Sequence, residues 1–398
     1  MAESTIVLAF TTAEFQRRVA AVKQLMAGAR IDVLLISDPA NMNYLTGYNA
    51  FSYYTHQMVA VALDENEPLW LGRKMDVACA RFTAFMGEDR LFGYPESYIG
   101  VSARHPMEFI GKVLRDKGWE RRVFGLEMDS APLTPRCADQ LKHALPEARW
   151  VDADLLVNRA RLVKSKAEID YLRQAAQISQ RAMQAAHEAI EVGVRECDVA
   201  AKVYSALVSG TEGYAGHLTM QGGLAMPSGE RTSAPHLGWT DERYHSQQLV
   251  SIELGGCRHG YHAGLSRSFF LGRPPAELQR CAEVTIDGMS EVLVRMRAGT
   301  TCGEVADHWN GLLKRAGLAK ESRIGYSIGI GYPLTSWIDK SASLQSGDAT
   351  VLQPDMTFHI ILGMWMDRWG FELSETVRVT EGEVEVFSSF PRALLIKA

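Results

Sequence analysis

Two pairs of β-rich segments in the second part of the chain place the strongest constraint on its fold. The first pair is "LVSIELGG" followed by "YHAGLSRSFFLG", and the second is "MTFHIILGMW" followed by "FELSETVRVTEG". Helical patterns near 165–191, 276–297 and 302–316 lie between or before these pairs. Because a helix and a strand pair occur twice in succession, we expect an α+β domain built from two related halves.

The first part of the chain alternates apolar, β-rich runs with amphipathic helical patterns. Strands are predicted at 31–37, 57–64, 68–72 and 122–128, and helices near 12–28, 75–86, 105–118 and 134–144. This alternation is typical of an α/β domain with a mixed sheet. A capping-box pattern at Ser165 and Glu168 begins a long helix just after the boundary. We therefore expect two domains, 1–160 and 161–398.

Charge and cysteine usage limit the classes of partner. The net charge is −5 and no basic run occurs, which argues against nucleic acid or an anionic membrane surface as a partner. No apolar run reaches the roughly 18 residues of a membrane span, and the first residues lack a cationic signal region, so neither insertion nor export is expected. The six cysteines show no CxxC-like spacing, which argues against a disulfide framework or a zinc knot. These features predict a cytoplasmic protein.

Five segments of the second part carry polar residues within apolar or Gly-rich surroundings. The residues are His236, Glu253, Tyr326, His359 and Glu375. Glu253, His359 or Glu375 alone is more often a solvent-facing or core residue than part of a site. Their combination in one domain favours a polar site among the strands.

The chain resembles the pita-bread family of creatinases, prolidases and methionine aminopeptidases. The resemblance rests on "NMNYLTGYNAF" at 41–51, on "RLVKSKAEIDYLRQAA" at the domain boundary and on "GCRHGYHAGLSRSFFLG" in the first strand pair. It covers essentially the whole chain. It implies an α/β N-terminal domain of the creatinase type followed by an α+β pita-bread catalytic domain.

Metallopeptidases of that family bind two metal ions through two Asp, one His and two Glu. The resemblance carries these positions onto Glu253, Gly264, Tyr326, Ile361 and Glu375. Three of the five positions therefore lack a good ligand, whereas a divalent ion needs several oxygen or nitrogen donors. We expect no metal and no other cofactor.

The resemblance implies a metal-free catalytic set of one histidine and two carboxylates, as in creatinase. The residues are His236, Glu253 and Glu375. Two glutamates in an apolar pocket raise each other's pKa unless a positive charge balances them. Without a metal, that charge would come from a cationic substrate.

Longer motifs resemble those of ectoine hydrolases more closely than those of creatinases. They include "LTGYNAFSYYTHQ" (45–57), "PSGERTSAPHLGW" (227–239) and "LQPDMTFHIILGMWMDRWGFELSET" (352–376). The resemblance implies hydrolysis of ectoine, a cyclic amidinium that carries a carboxylate, and leaves hydroxyectoine open as a second substrate. Glu253 would attack the amidine carbon or direct water at it, His236 would carry a proton to the departing nitrogen, and Glu375 would hold the N–H groups. The substrate-binding residues expected are Tyr326, His359, Tyr53, Tyr54 and Trp365.

The family resemblance also implies a homodimer. In creatinase-type enzymes the N-terminal domain of one subunit closes the pocket of the other, and here the "NAFSYYTHQ" loop would do so. Thr55 falls near the position of the arginine that grips creatine in creatinase, which counts against creatine as the substrate. Other functions stay open. They are an amidinohydrolase with another guanidinium or amidinium substrate, a non-catalytic domain that binds peptides or proteins, and a residual metallopeptidase using His236, His262 and His359.

Overall fold

A computed structural model describes residues 8–100, 104–217, 224–332 and 336–397. The chain divides into two compact units that meet in the sequence between Ala160 and Arg161, and Tyr332 is grouped with the first. Within the described ranges, no helix combines the length and the apolar character required to cross a membrane.

The first unit is built around one mixed sheet. Its helices are α1 (Thr12–Gly28), α2 (Pro39–Thr46), α3 (Val77–Thr83), α4 (Pro106–Asp116), α5 (Pro135–Ala144) and α6 (Leu156–Ala160), and its strands are β1 (Val33–Ile36), β2 (Met58–Ala62), β3 (Leu69–Arg73), β4 (Leu91–Tyr94), β5 (Val123–Leu126) and β6 (Arg149–Asp152). The strand order is β4-β3-β2-β1-β5-β6. β2 runs antiparallel to β1 and β3, and the remaining neighbours are parallel. The predicted α/β class with a mixed sheet is confirmed.

The side chains of strand β1 pack against helices on both faces of this sheet. Val33 and Leu35 belong to a core cluster with α4 and α5, whereas Leu34 and Ile36 belong to a second cluster with α1, α2, α3 and α6. Four consecutive apolar residues therefore form a strand that is buried on both sides, as expected for a central strand of an α/β sheet.

The second unit combines four long helices with a strongly paired sheet. Its helices are α7 (Lys166–Ala189), α8 (Glu196–Ser209), α9 (Ala276–Arg295) and α10 (Cys302–Ala316), and its strands are β7 (Leu224–Ala225), β8 (Gln248–Arg258), β9 (Tyr261–Leu271), β10 (Gly325–Tyr332), β11 (Ser336–Ser343), β12 (Thr357–Trp365), β13 (Gly370–Arg378), β14 (Glu385–Val386) and β15 (Leu395–Lys397). The strand order is β14-β13-β12-β10-β9-β8-β7, with β11 beside β10 and β15 beside β9. The predicted capping box at Ser165 is present, because its side chain accepts from the Glu168 N–H, and Thr301 forms a second one with Glu304.

Each pair of helices covers its own part of this sheet. Because side chains alternate along a strand, the residues between the helix-facing ones point to the opposite face of the sheet. α7 and α8 pack on β8 and β9, and α9 and α10 pack on β12 and β13. On β8, Ile252 and Leu254 belong to the helix-facing core, so Glu253 between them points to the opposite face. On β13, Leu373 belongs to the helix-facing core, so Glu372 points to the opposite face. The two glutamates thus reach the same side of the sheet from different strands.

Candidate active site

A cavity of about 620 Å³ lies in the second unit on the face of the sheet turned away from its helices. Two carboxyl groups, Glu253 and Glu372, and three aromatic side chains, Tyr326, Trp337 and Trp365, contribute to its wall. Cavities of roughly 300–1,000 Å³ with a few convergent polar groups are typical of small-molecule sites. This one is an apolar pocket with an acidic centre.

Glu253 lies in this cavity without a compensating charge. Burial first, and the neighbouring Glu372 second, raise the pKa of its carboxyl well above the ordinary value. Among the residues that the structure describes, its nearest basic group is His359, whose Nδ1 lies 4.0 Å from Glu253 Oε1. That imidazole is neutral at physiological pH, because burial lowers the pKa of His359 to about 3.

Glu372 is the second carboxyl of the cavity and is 3% exposed. Burial raises its pKa to about 7, while a hydrogen bond from Ser266 and the charge of Lys320 oppose that rise. Ser266 Oγ donates to Glu372 Oε1 at 3.0 Å. A carboxyl that titrates near neutrality can both accept and donate a proton under physiological conditions, which suits acid–base chemistry.

A buried hydrogen-bond network ends at the Glu372 carboxyl. Trp337 Nε1 donates to the Tyr326 hydroxyl at 2.9 Å, and this hydroxyl lies 3.2 Å from His359 Nδ1. On the other side of the imidazole, His359 Nε2 lies 2.8 Å from Ser374 Oγ, which donates to Ser266 Oγ at 3.0 Å. All five side chains are buried. The network therefore connects the imidazole near Glu253 to the second carboxyl.

The residues at the family's metal positions do not fit a dinuclear metal centre. A Cβ added at Gly264 would lie 2.5 Å from His359 Cε1, so the imidazole occupies the space that a ligand at position 264 would need. Ile361, which offers no ligand atom, pairs with Ser374 across β12 and β13. Divalent ions need several carboxylate or imidazole donors converging on one point. Here a neutral imidazole and an aliphatic side chain stand in their place.

The structure does not bring Glu375 into the cavity, contrary to the expectation from the sequence. Arg267 Nη2 donates to Glu375 Oε1 at 2.6 Å, and both side chains are almost fully buried. Glu375 lies three residues from Glu372 on β13, so the two side chains leave opposite faces of the strand. Ser374 rather than Glu375 lies opposite Ile361. Glu372 takes the place expected for Glu375, and the alternation in "FELSET" was the signal that could have identified it.

The remaining candidates divide between the two units. His236 and Trp365 contribute to the cavity wall, and the side chain of His236 is exposed. The Lys320 ammonium lies 4.2 Å from the Trp365 ring centroid. Tyr53 and Tyr54 belong to the first unit, where Tyr53 is half-buried and Tyr54 is exposed. Their contribution to substrate binding stays a prediction.

Arg323 is a cation of the cavity that the sequence reasoning missed. Its side chain contributes to the cavity wall, and its guanidinium carbon lies 4.6 Å from the Tyr326 ring centroid. Nη1 donates to Ser343 Oγ at 3.3 Å. Stacking on an aromatic face holds a guanidinium in place while leaving its edge free for an anion.

Among the described residues, one cluster of side chains has metal-ligand chemistry, and it lies in the first unit. The ligand atoms of His56, His105 and Cys137 lie within 4.8 Å of one another. His105 and Thr134 are the N-caps of α4 and α5, so two helix N-termini with positive partial charge adjoin the cluster. Burial, followed by His56 and Arg136, lowers the pKa of His105. Because these surroundings disfavour positive charge, we assign no metal to this cluster.

Comparison with protein families assigns both parts of the chain. Residues 18–163 match the Creatinase/Prolidase N-terminal domain, and residues 170–381 match Metallopeptidase family M24. The hydrolase/peptidase y4tM of Sinorhizobium fredii is 40% identical over 391 residues, covering 98% of this chain and 99% of that protein. Ectoine hydrolase of Halomonas elongata is 36% identical over 398 residues, covering 98% of this chain and 99% of that enzyme.

Solved structures share the same fold along the whole chain. The dipeptidase PepE of Mycobacterium ulcerans has a TM-score of 0.80 at 22% identity and covers 97% of this chain and 99% of its own. The prolidase of Pyrococcus horikoshii has a TM-score of 0.80 at 20% identity and covers 95% of this chain and 100% of its own. The expected creatinase-type N-terminal domain and pita-bread catalytic domain are thereby confirmed. The chain belongs to metallopeptidase family M24 and carries a creatinase/prolidase N-terminal domain ahead of its catalytic domain.

Proposed function

We propose that this chain is a metal-independent hydrolase that opens the cyclic amidine ring of ectoine to N-acetyl-2,4-diaminobutyrate. The observation that carries the proposal is the pair of carboxyl groups, Glu253 and Glu372, in one apolar cavity, each with a raised pKa. The likeness to Halomonas elongata ectoine hydrolase over nearly the full length of both proteins supports the choice of substrate.

The charge balance of the cavity favours a cationic substrate. Burial raises the pKa of both carboxyl groups, and repulsion from Glu372 raises the pKa of Glu253 further. An amidinium bound between Glu253 and Glu372 would supply a delocalised positive charge and two N–H donors, so both carboxylates could be ionised at neutral pH.

The chemistry then needs a nucleophile and two proton deliveries. Glu253 would attack the amidine carbon or direct water at it, and Glu372 would accept hydrogen bonds from the amidinium nitrogens. The departing ring nitrogen carries one hydrogen in the amidinium and three in the product ammonium, so two protons must reach it. Water supplies both, and His236, at the exposed part of the wall, would deliver one of them.

Arg323 is our candidate for the group that binds the substrate carboxylate. Ectoine is a zwitterion, so its site needs a cation at one end in addition to the two carboxylates that receive the amidinium. Arg323 is exposed, contributes to the cavity wall and is stacked on Tyr326. A guanidinium binds a carboxylate through two parallel hydrogen bonds, which would orient the ring.

Three further expectations belong to the same proposal and rest on the family resemblance. The protein would act as a cytoplasmic homodimer, and the loop containing Tyr53 and Tyr54 would complete the partner's pocket. Hydroxyectoine would be a second substrate if the pocket tolerates one extra hydroxyl group. Size-exclusion chromatography with light scattering tests the dimer.

The deciding experiment is a proton NMR time course of the purified protein with ectoine, hydroxyectoine, creatine and a dipeptide in parallel samples. Loss of the ectoine ring signals together with the appearance of an N-acetyl signal would support the proposal. Turnover of creatine or the dipeptide, but not of ectoine, would contradict it. Glu253→Gln is the matched variant and is expected to abolish turnover while the circular dichroism spectrum is unchanged.

Metal independence needs its own measurement. We expect elemental analysis of the active protein to find no stoichiometric transition metal, and we expect activity to survive dialysis against a chelator. Activity that is lost to the chelator and restored by one metal would show that the metal-free part of the proposal is wrong.

A further inference from the structure

The hydrogen-bond network of the cavity has one consistent direction. Trp337 Nε1 can only donate, so the oxygen of the Tyr326 hydroxyl accepts at 2.9 Å and its own hydrogen is free for His359 Nδ1 at 3.2 Å. An unprotonated Nδ1 places the imidazole hydrogen on Nε2, which lies 2.8 Å from Ser374 Oγ. Trp337 and Tyr326 therefore select the Nε2–H tautomer of His359.

The same direction continues through two serines to Glu372. Ser374 Oγ accepts from His359 and donates to Ser266 Oγ at 3.0 Å, and Ser266 Oγ donates to Glu372 Oε1 at 3.0 Å. Every hydrogen along this series of hydrogen bonds points toward Glu372. At the other end of the network, His359 Nδ1 lies 4.0 Å from Oε1 of the partly exposed Glu253, so a direct transfer between them requires the carboxyl to rotate closer.

We propose that His359, Ser374 and Ser266 relay a proton from Glu253 to Glu372, which then delivers it to the departing ring nitrogen. This inference rests on the proposed function and supplies the second of the two protons that the nitrogen requires. His359, Ser374 and Ser266 act through the two glutamates and are positioning residues.

The transfer is balanced at each step. His359 Nδ1 has one lone pair, so the Tyr326 hydroxyl first turns its hydrogen away from that nitrogen. Glu253 takes a proton from the attacking water and passes it to Nδ1, and the Nε2 hydrogen moves to Ser374. Ser374 passes its hydrogen to Ser266, and Ser266 passes its hydrogen to Glu372. The net change is one proton lost by the attacking water and one gained by Glu372, with His359 left as its Nδ1–H tautomer. Cleavage of the carbon–nitrogen bond then consumes that proton and leaves Glu372 ionised.

The surroundings suit such a transfer. The imidazole is neutral, because burial lowers the pKa of His359 to about 3, so it passes a proton on without retaining it. The titratable or charged groups that face Glu372 are Lys320 and Glu253, and those that face His359 are Glu253 and Tyr326. Both serines are fully buried, which keeps bulk water away from the path.

The test compares Ser374→Ala with Ser251→Ala in single-turnover kinetics with ectoine. Ser251 is a buried serine of β8 in the same sheet that bonds to Ser268 at 3.1 Å and takes no part in the relay. We expect Ser374→Ala to lower the single-turnover rate about a hundredfold, within the range of positioned acid catalysis. KM is expected to change less than about twofold, since Ser374 does not face the substrate.

Two readouts separate a relay from a merely structural effect. The rate in mixtures of H₂O and D₂O should curve for the wild-type protein, because several protons move together, and should become linear in Ser374→Ala. The pH below which the rate falls should be the same in Ser374→Ala as in the wild type, since the Ser374 hydroxyl does not contact Glu372. A wild-type rate with a curved isotope plot in Ser374→Ala would overturn the relay.

A measurement without turnover keeps the inference testable if the variant fails to fold or the wild type does not open ectoine. Nitrogen-15 NMR of the histidines, assigned with a His359→Asn variant, reports which ring nitrogen carries the hydrogen. The relay requires Nε2–H in the unliganded protein, and Nδ1–H at His359 would overturn it. Failure to open ectoine together with Nε2–H would refute the proposed substrate and not the relay geometry.

Discussion

Replacing Glu372 by Gln tests which glutamate of strand β13 serves the cavity. The amide keeps the size of the side chain but removes its negative charge and its ability to take up a proton. A hydrogen bond to a charged group contributes about 1.5–3 kcal/mol, so KM for an amidinium substrate should rise roughly 10- to 150-fold. Because the side chain is 3% exposed, solvent screening reduces this effect little.

The same substitution should remove a titration from the pH profile. Burial raises the pKa of Glu372 to about 7, so the ionised form that holds the amidinium disappears as the pH falls through that value. In the wild-type protein, kcat/KM for ectoine should therefore fall below about pH 7. In Glu372→Gln the part of the acid limb that belongs to Glu372 should be absent, and the part that remains should belong to Glu253, whose pKa burial still raises.

The matched control is Glu375→Gln on the same strand. Its partner Arg267 would lose its counter-ion, and breaking a buried ion pair costs about 3–5 kcal/mol, so thermal unfolding should begin at a lower temperature. The kcat/KM of the folded fraction should stay within about twofold of the wild type, and the acid limb should remain. If Glu375→Gln loses activity while Glu372→Gln resembles the wild type, our assignment of the two strand faces is wrong.

Three other outcomes follow from the same geometry. Gly264→Ala places a Cβ 2.5 Å from the His359 ring and should cost about 1–3 kcal/mol of stability in a melt, whereas Gly28→Ala, with nothing within 4 Å, should be neutral. Arg323→Gln should raise KM for ectoine roughly fivefold with kcat nearly unchanged, and an unchanged KM would mean that another group holds the carboxylate. In the Glu253→Gln background, which cannot turn over, ectoine should raise the melting temperature more at pH 8 than at pH 6, since the Glu372 carboxylate that attracts it is ionised above about pH 7; an equal shift at both pH values would contradict this.

The apolar patterns predicted the framework of the fold well because most elements are amphipathic or continuously apolar. The helix predicted near 165–191 is α7, Lys166–Ala189, and its predicted capping box is present. Helix α2, Pro39–Thr46, was missed because all eight of its residues are buried, so it lacks an apolar stripe with a polar opposite face. Its start is set instead by Asp38, which accepts from the Asn41 N–H at 3.0 Å.

The residues of the site could be predicted only in part, because the family's last acidic position was assigned with a shift of one residue on β13. His236, Glu253 and Tyr326 were expected in one site and do contribute to one cavity. The last acidic position was placed one residue too far along β13, on Glu375, whereas Ser374 occupies the position opposite Ile361. On a strand, a shift of one residue moves a side chain to the other face. Family motifs located the strand, but only the alternation of apolar residues along it locates the side chains.

The departures from the metallopeptidase pattern at Gly264 and Tyr326 are connected, because both residues adjoin the His359 imidazole. The His359 imidazole fills the space beside Gly264, so it requires a residue without a side chain at that position. The two nitrogens of this buried imidazole need hydrogen-bond partners, and Tyr326 and Ser374 provide them at 3.2 Å and 2.8 Å. An aspartate restored at 264 would collide with the ring, so reintroducing that single ligand would remove the imidazole network before it created a metal site. A neutral, hydrogen-bonded imidazole therefore fills the space beside Gly264, and under the proposed function the positive charge between Glu253 and Glu372 arrives with the substrate.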